Sequence, residues 1–444
     1  MPRKQLLSLF DLTMIVIGLV IGLGIFRTAK DTAVASATPS IFFLTWVAGG
    51  LVALCGALTY AEIGSRYPIT GGYYKIFATC YHPSIAFAIN CIILISNAAS
   101  LAGVALIGSE YISLVLFNSP PSDLVRAGIG IFAVALFYGV NLMGLRMSSR
   151  TQNVLMAVKI SMLLLIVSAV FFPAHHSVQA AVSTTAVSGW DWIRSFGVAL
   201  VAVSFTYGGY QQTINFGEEV ENPTRNIPKG IFRGILVIIV LYLAVNYSYY
   251  KVVGFEQLKT SDGIASIVAE RLMGPAGRYI FSVLLYIAVL AYVNVILLSN
   301  PRVMFAMSQD GILPKAFQKK DDKGVLTVSL TVYAAMTIII LFFAKTFDKI
   351  LSFSIFLDSI GMAFSAGALF ILRKKTAHLD KSKIYVMKWY PLMPIIFIAA
   401  YTVTAVSIAM SKPMLALTAT IVLAAFVLLY FLTKRLHRAP VGNA

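Results

Sequence analysis

Charge is what this sequence lacks most. Only 12% of its 444 residues are charged, and 59% are hydrophobic, whereas about 25% of the residues in an ordinary soluble domain are charged. The mean hydropathy is +0.83. This balance excludes an ordinary soluble enzyme, a disordered chain and a nucleic-acid-binding protein, and it predicts an all-α polytopic membrane protein.

Cysteine is also scarce, and the sequence motifs of metal and nucleotide sites are missing. Cys55, Cys80 and Cys91 have neither metal-ligand spacing nor the pattern of a disulfide framework. The chain contains no His-Glu-x-x-His pair, no Gly-x-Ser-x-Gly elbow and no nucleotide-binding loop. These absences argue against an intramembrane enzyme and against a pump that hydrolyses ATP. We expect no metal and no cofactor.

Long apolar segments are what the sequence has in abundance. A helix needs about 20 apolar residues to cross the hydrocarbon core of a bilayer. Twelve such segments lie at roughly 10–29, 39–63, 83–117, 124–144, 151–173, 193–216, 230–253, 277–307, 325–345, 349–372, 391–411 and 413–433. The third and eighth are long enough to tilt or to extend beyond the bilayer. No long polar insertion separates the segments, so we expect residues 1–444 to form a single membrane domain.

Positive charges are distributed unequally between the two sides of this arrangement. An even number of spans places both termini on one side. If that side is the cytoplasm, 23 Lys and Arg lie inside and 11 lie outside, with Lys159 in the membrane. This asymmetry fits the positive-inside rule and predicts cytoplasmic N- and C-termini. The formal net charge of +17 is then a consequence of topology and implies no nucleic-acid partner.

Clustered glycines interrupt the first and sixth segments. Gly18, Gly22 and Gly24 lie in the first, and Gly208-Gly209 lies in the sixth. Glycine disfavours a helix interior and tolerates unwound backbone, although close packing of small residues could explain either segment alone. The two segments occupy equivalent places in successive sets of five, which favours a carrier built from an inverted repeat. Amides and carbonyls freed at two breaks suit a zwitterion that carries a carboxylate and an ammonium group.

Four motifs can be compared with known families. They are Gly18–Phe26, Glu62–Gly64 with Tyr67–Tyr74, Phe205–Gly209 with Glu218–Pro228, and Ser299–Arg302 with Asp310–Pro314. In this order they resemble the amino acid–polyamine–organocation superfamily, and they are closest to its L-type amino acid transporter branch. The resemblance implies a LeuT-type fold with inverted repeats at about 10–173 and 193–372, broken helices 1 and 6, and two extra helices at about 391–433.

The resemblance also implies where the substrate binds, between the broken first and sixth helices. The backbone of three residues would bind the substrate carboxylate: Gly22, Leu23 and Gly24. Three others would offer carbonyls to its α-ammonium group: Phe205, Thr206 and Gly208. Phe205 would in addition close over the site as a thin gate.

The sequence departs from the family pattern at three places. Leu23 stands where many relatives have a small or hydroxyl residue, and Tyr210-Gln211 stands where the L-type branch commonly has Trp-Asn. The loop at 118–124 contains no Cys, the residue that animal members use to join a glycoprotein heavy chain. We therefore expect no heavy-chain subunit. The resemblance favours a bacterial-type carrier, a monomer or dimer, in the inner (cytoplasmic) membrane.

Lys159 is the ionisable residue of an otherwise apolar fifth segment. A charge in mid-membrane costs about 2.5–3.5 kcal/mol on insertion scales and by default marks function. The resemblance implies that its ammonium group occupies the place of a sodium ion and joins the first helix near Gly18 to the eighth. This role predicts sodium-independent transport. A desolvated lysine can also lose its proton, which leaves proton coupling as an alternative.

Two further polar residues lie in predicted spans. Asp358 in the tenth segment could pair with a cation, relay protons or favour a cationic substrate, or it could simply bond to nearby Ser hydroxyls. Asn294 in the eighth either faces the cavity or links helices. The sequence thus predicts a sodium-independent exchanger of L-amino acids, with neutral ones expected. The alternative is a proton-coupled symporter of amino acids, including cationic amino acids or polyamines.

Overall fold

The computed structural model describes residues 6–22, 24–117, 121–172, 189–261, 263–342 and 347–436, with side chains except at 27, 205, 347–354 and 433–436. These residues form α-helices and short 3₁₀ turns without a β-strand. The α-helices are α1 Leu9–Val20, α2 Gly24–Ala35, α3 Pro39–Arg66, α4 Gly72–Cys80, α5 Pro83–Leu116, α6 Asp123–Leu142, α7 Leu145–Ser168, α8 Gly189–Thr206, α9 Pro223–Val253, α10 Phe255–Thr260, α11 Ile264–Met273, α12 Pro275–Gln309, α13 Thr327–Phe342, α14 Phe347–Lys375, α15 Leu392–Ser411 and α16 Pro413–Leu436.

The predicted all-α polytopic class is confirmed. Nine helices in the described part of the chain are long and apolar enough to cross a membrane, and α1 and α13 are shorter apolar helices. The predicted long third and eighth segments correspond to α5 and α12, with 34 and 35 residues. Both begin with a proline in the first turn, where the missing amide proton costs no helical hydrogen bond.

The order of the helices repeats along the chain. The first span is divided into α1 and α2, and the helices α3, α5, α6 and α7 follow. The sixth span is divided into α8 and a 3₁₀ turn, Tyr210–Asn215, and the helices α9, α12, α13 and α14 follow in the same order. The long helix takes the same place in both series. The short helices α4, α10 and α11 lie between these longer ones, and α15 and α16 follow the second series.

Small residues let the first span pack closely against α9. A Cβ atom added to Gly230 would lie 2.9 Å from a Leu12 methyl carbon, and one added to Gly234 would lie 2.4 Å from Val16. Real Cβ atoms do not approach this closely. At 234 the stiff, branched Val16 side chain cannot move aside, so this position requires glycine while α1 stays in place, whereas at 230 the Leu12 methyl group could shift. Helix α1 also packs against α7 and α12. Its C-terminal end is therefore surrounded by protein.

The start of the chain binds to the segment that follows the sixth span. The Leu7 amide donates to the Glu219 carbonyl at 2.7 Å, and the Glu221 amide donates to the Leu7 carbonyl at 3.0 Å. Ser8 then caps α1 in a reciprocal capping box with Asp11. We call the end of the bundle at which Leu7 lies the N-terminal face. Backbone pairing at this face links the two broken spans.

Candidate transport site

The two helix breaks lie directly against each other. Helix α1 ends at Val20 and α2 begins at Gly24, while α8 ends at Thr206. Gly209 has a φ angle of +114°, and a Cβ atom there would lie 2.2 Å from the Leu19 carbonyl oxygen. Both the backbone angle and the close approach require glycine at this position. The break in the sixth span is thus packed on the last turn of α1.

Side chains of neighbouring helices satisfy the carbonyl groups that the breaks set free. Lys159 on α7 is fully buried and donates from Nζ to the Ile21 carbonyl at 2.6 Å. The Tyr242 hydroxyl on α9 lies 3.3 Å from the Val20 carbonyl and 3.5 Å from that of Thr206. Unwound backbone in a membrane requires such partners, because lipid supplies none. Lys159 therefore bonds to the break itself.

The residues predicted to bind substrate lie around this contact. A Cβ atom on Gly22 would lie 3.8 Å from the Tyr292 ring, and one on Gly24 would lie 3.1 Å from the Thr206 methyl group. Thr206 Oγ1 donates to Thr28 Oγ1 at 2.9 Å, which joins α8 to α2. Gly208 is half-buried in the second break. Leu23 lies outside the described residues, as does the side chain of Phe205, on which the predicted gate depends.

Gly18 and Asn294 belong to a polar network between α6, α7 and α12. Asn294 accepts from Asn141 at 3.0 Å and donates to Gln152 Oε1 at 2.9 Å. A Cβ atom on Gly18 would lie 2.2 Å from Gln152 Nε2, so the glycine leaves room for this amide beside α1. Asn294 therefore links helices in the structure, and Gly18 packs on the α7 face that also carries Lys159.

Asp358 lies near the second break, on α14. It lines a small cavity with Gly208 of the break and with Tyr401 and Thr404 of α15. The structure therefore places one potential anion beside the predicted α-ammonium site.

Sequence reasoning did not single out Tyr242 and Tyr292. The Tyr292 ring faces Gly22, and its hydroxyl forms a 3.0 Å hydrogen bond with Ser100 Oγ of α5. Both tyrosines lie in apolar runs, where an amphipathic aromatic residue is common. No local pattern separates a tyrosine that faces a helix break from one that faces lipid.

An ion pair closes the N-terminal face near the second break. Arg302 of α12 bonds to Glu219 and lies 4.4 Å above the Phe216 ring. A cavity of about 390 Å³ lies beside this pair and is also lined by Asn141 and Ser148. Ser148 is eleven residues from Lys159, or about 16 Å along α7. The cavity thus extends from the N-terminal face to the polar network around Asn294.

We expect Gly209→Ala to abolish transport, because alanine at a φ of +114° is strained and its methyl group would collide with the Leu19 carbonyl. The strain alone costs of order 1–3 kcal/mol. Uptake into liposomes and the amount of monodisperse protein are the measurements. Gly139→Ala is the matched control, since no atom in the described part of the protein lies within 4 Å of a Cβ atom there. Wild-type uptake by Gly209→Ala would contradict the described contact between the breaks.

These features define a class of protein. A polytopic helical bundle with two interrupted spans in contact, and a buried lysine bonded to one interruption, has the construction of a secondary transporter. Comparison with protein families agrees, since residues 7–432 match the family model described as "Amino acid permease". The chain belongs to this amino acid permease family, whose members are transporters and not enzymes.

Individual relatives are similar over most of the chain. The serine/threonine exchanger SteT of Bacillus subtilis (strain 168) is 27% identical, over 89% of this chain and 89% of its own length. The methylthioribose transporter of the same organism is 29% identical, over 70% and 69%. The Asc-type amino acid transporter 1 of Mus musculus is 24% identical, over 97% and 81%. The family resemblance predicted from the four motifs is thereby confirmed, and the protein is a multi-pass membrane protein that transports amino acids.

Proposed function

We propose that the protein is a sodium-independent carrier that exchanges neutral L-amino acids across a membrane by alternating access. The observation that carries this proposal is the bond from Lys159 Nζ to the Ile21 carbonyl. An ammonium group bonded to a freed carbonyl supplies the positive charge and the hydrogen bonds that a bound cation would otherwise provide. The similar protein SteT is named as an exchanger, and this similarity supports exchange rather than symport.

The contact between the breaks supports a site for a zwitterion. In this proposal, backbone amides at Gly22, Leu23 and Gly24 bind the substrate carboxylate at the start of α2, where the helix dipole adds to them. Carbonyls of Phe205, Thr206 and Gly208 at the end of α8 accept from the α-ammonium group, and Phe205 closes over it as a gate. The partial charges at the two helix ends match the two ends of an amino acid.

The repeated order of helices supports the proposed topology. We propose twelve spans in a single transport domain, with two inverted repeats of five and two added helices. The distribution of Lys and Arg supports cytoplasmic termini in the bacterial inner membrane. The N-terminal face is then cytoplasmic, and opening of the Arg302–Glu219 pair would connect its cavity to the site. Because the loop at 118–124 has no Cys, we propose that the chain works without a heavy-chain subunit.

Uptake by purified protein in liposomes tests the function. Vesicles are loaded with unlabelled amino acids or left empty, and uptake of labelled alanine, leucine and lysine is followed with and without sodium and a pH gradient. We expect uptake to require internal amino acid, and we expect the same rate of uptake with and without sodium or a pH gradient. Methylthioribose serves as a competitor without the zwitterionic groups, and we expect no inhibition by it. Sodium-dependent uptake would contradict the proposed role of Lys159.

The second candidate is a proton-coupled symporter, and the position of Asp358 beside Gly208 favours it. A carboxylate next to the substrate site could carry a proton or attract a cationic side chain. Uptake into empty vesicles driven by external acid would establish this mechanism instead of exchange. If Asp358→Asn leaves the uptake of neutral and cationic substrates unchanged, Asp358 has no such role.

A further inference from the structure

A small cavity lies between the break in the sixth span, α14 and α15. It leaves about 10 Å³ for the centre of a water-sized group, close to the room that one water needs. Gly208 and Asp358 are part of its wall, with Ser204, Ser359, Tyr401 and Thr404. The cavity therefore has space for one non-hydrogen atom directly beside the proposed α-ammonium site.

Most of the hydroxyl groups around this cavity already donate their proton in a hydrogen bond to the protein backbone. Three of them donate to backbone carbonyls: Tyr401 to Ser204 at 3.3 Å, Ser359 to Ile355 at 2.8 Å and Thr404 to Ala400 at 3.0 Å. A hydroxyl has only one proton to donate, so each of these oxygens can only accept a further hydrogen bond. The three hydroxyls consequently offer acceptors to whatever occupies the cavity.

Asp358 and Ser204 are the other polar side chains of the wall, which also contains the apolar Ile355. An ionised carboxylate only accepts hydrogen bonds, and among the residues with described side chains we find no ion pair or hydrogen bond to Asp358. Ser204 is 3% exposed, and its Oγ has no hydrogen-bond partner in the described part of the chain. A buried polar atom left unsatisfied costs about 1–3 kcal/mol. The cavity thus presents several acceptors, and the Ser204 hydroxyl is the group in its described wall whose proton is still available.

We propose that this cavity is a subsite for a short substrate side chain that ends in one hydrogen-bond donor, a hydroxyl or an ammonium group. The inference rests on the proposed function, because it needs the amino group of the substrate near Gly208. A side chain that reaches the cavity from there is only a few bonds long. Threonine would place a hydroxyl where valine places a methyl group. Asp358 would accept a hydrogen bond from this hydroxyl and so favour threonine over valine.

Competition for alanine exchange tests the subsite. Vesicles are loaded with alanine, and uptake of labelled alanine is inhibited with threonine, valine, serine or 2,3-diaminopropionate. We expect half-inhibition by threonine at a concentration about tenfold lower than by valine, since a site built for a donor rejects the isostere that lacks it. This ratio should fall toward one in both Asp358→Asn and Ser204→Ala. Thr418→Ala is the control and should keep the wild-type ratio, because this exposed threonine of α16 bonds to its own helix.

The outcomes separate the subsite from the proposed function. Equal inhibition by threonine and valine with intact alanine exchange would overturn the subsite alone and leave the cavity with an ordered water only. A wild-type ratio that persists in both cavity variants would also overturn it. Sodium-dependent uptake that Asp358→Asn abolishes would make the cavity a cation site instead. Absence of any alanine exchange would refute the proposed function itself. Stronger inhibition by diaminopropionate than by serine would identify the donor as ammonium, and the reverse would identify it as hydroxyl.

Discussion

Replacing Lys159 with alanine should lower the initial rate of amino acid exchange by about 10- to 100-fold while the protein still inserts into the membrane. The substitution removes the hydrogen bond from Nζ to the Ile21 carbonyl. A hydrogen bond to a charged group contributes about 1.5–3 kcal/mol, and each 1.4 kcal/mol corresponds to a factor of ten in rate. The freed carbonyl also lies in the break itself, so its reorientation disturbs the backbone proposed to bind the substrate carboxylate.

Two comparisons make the Lys159 result specific. Lys159→Met keeps an unbranched side chain that is only one atom shorter and removes the charge, and we expect it to be as impaired as the alanine variant. Lys251→Ala removes an exposed lysine near the end of α9 and should exchange at the wild-type rate. Size-exclusion profiles and binding of labelled substrate distinguish lost turnover from lost folding. Full turnover by well-folded Lys159→Ala would eliminate the cation-replacing role.

The sequence predicted the helical class and the interruption of the first and sixth spans because both depend on local composition. Apolar runs of about 20 residues and clustered glycines act within one segment. The hydrogen-bond partners of the polar side chains could not be predicted in this way. Lys159 was recognised as unusual, yet its acceptor, Ile21, lies 138 residues away in sequence. The hydrogen bond from the Tyr242 hydroxyl to the Val20 carbonyl could not be predicted either, since only the packing of α9 on α1 brings the two groups together.

The ion-pair partners of charged motif residues at the N-terminal face could not be predicted from the sequence either. The sequence motif Glu62–Gly64 was recognisable from its resemblance, and Arg66 lies one helical turn away, but nothing local indicates the distant partners of Glu62. In the structure it bonds to Arg66 of its own helix and to two distant parts of the chain, Arg373 of α14 and the amide of Met387 before α15. Likewise, Glu219 lies among acidic and basic loop residues, yet its partner is Arg302 of α12. Such pairings depend on the three-dimensional arrangement of helices.

Loss of Glu62 should therefore reduce the stability of the protein strongly. Its side chain is fully buried and accepts four hydrogen bonds, at 2.7 Å from Arg66 Nε, 2.8 and 2.6 Å from Arg373 and 2.9 Å from the Met387 amide. Removing one partner of a buried ion pair leaves an uncompensated charge and costs about 3–5 kcal/mol. For a chain of 444 residues, about 1 °C corresponds to each kcal/mol, so we expect Glu62→Ala to lower the midpoint of thermal unfolding in detergent by roughly 3–5 °C.

A matched surface pair provides the control for this stability prediction. Glu256 pairs with Lys259 at 2.9 Å, but its side chain is 56% exposed, and such pairs contribute about 0–1 kcal/mol. Glu256→Ala should therefore leave the midpoint nearly unchanged. Adding Arg373→Ala to Glu62→Ala should restore part of the lost stability, because it removes one of the two guanidinium groups that have lost their carboxylate counter-ion. If Glu62→Ala and Glu256→Ala unfold at the same temperature, the buried cluster does not join α3 to α14 in the way its hydrogen bonds indicate.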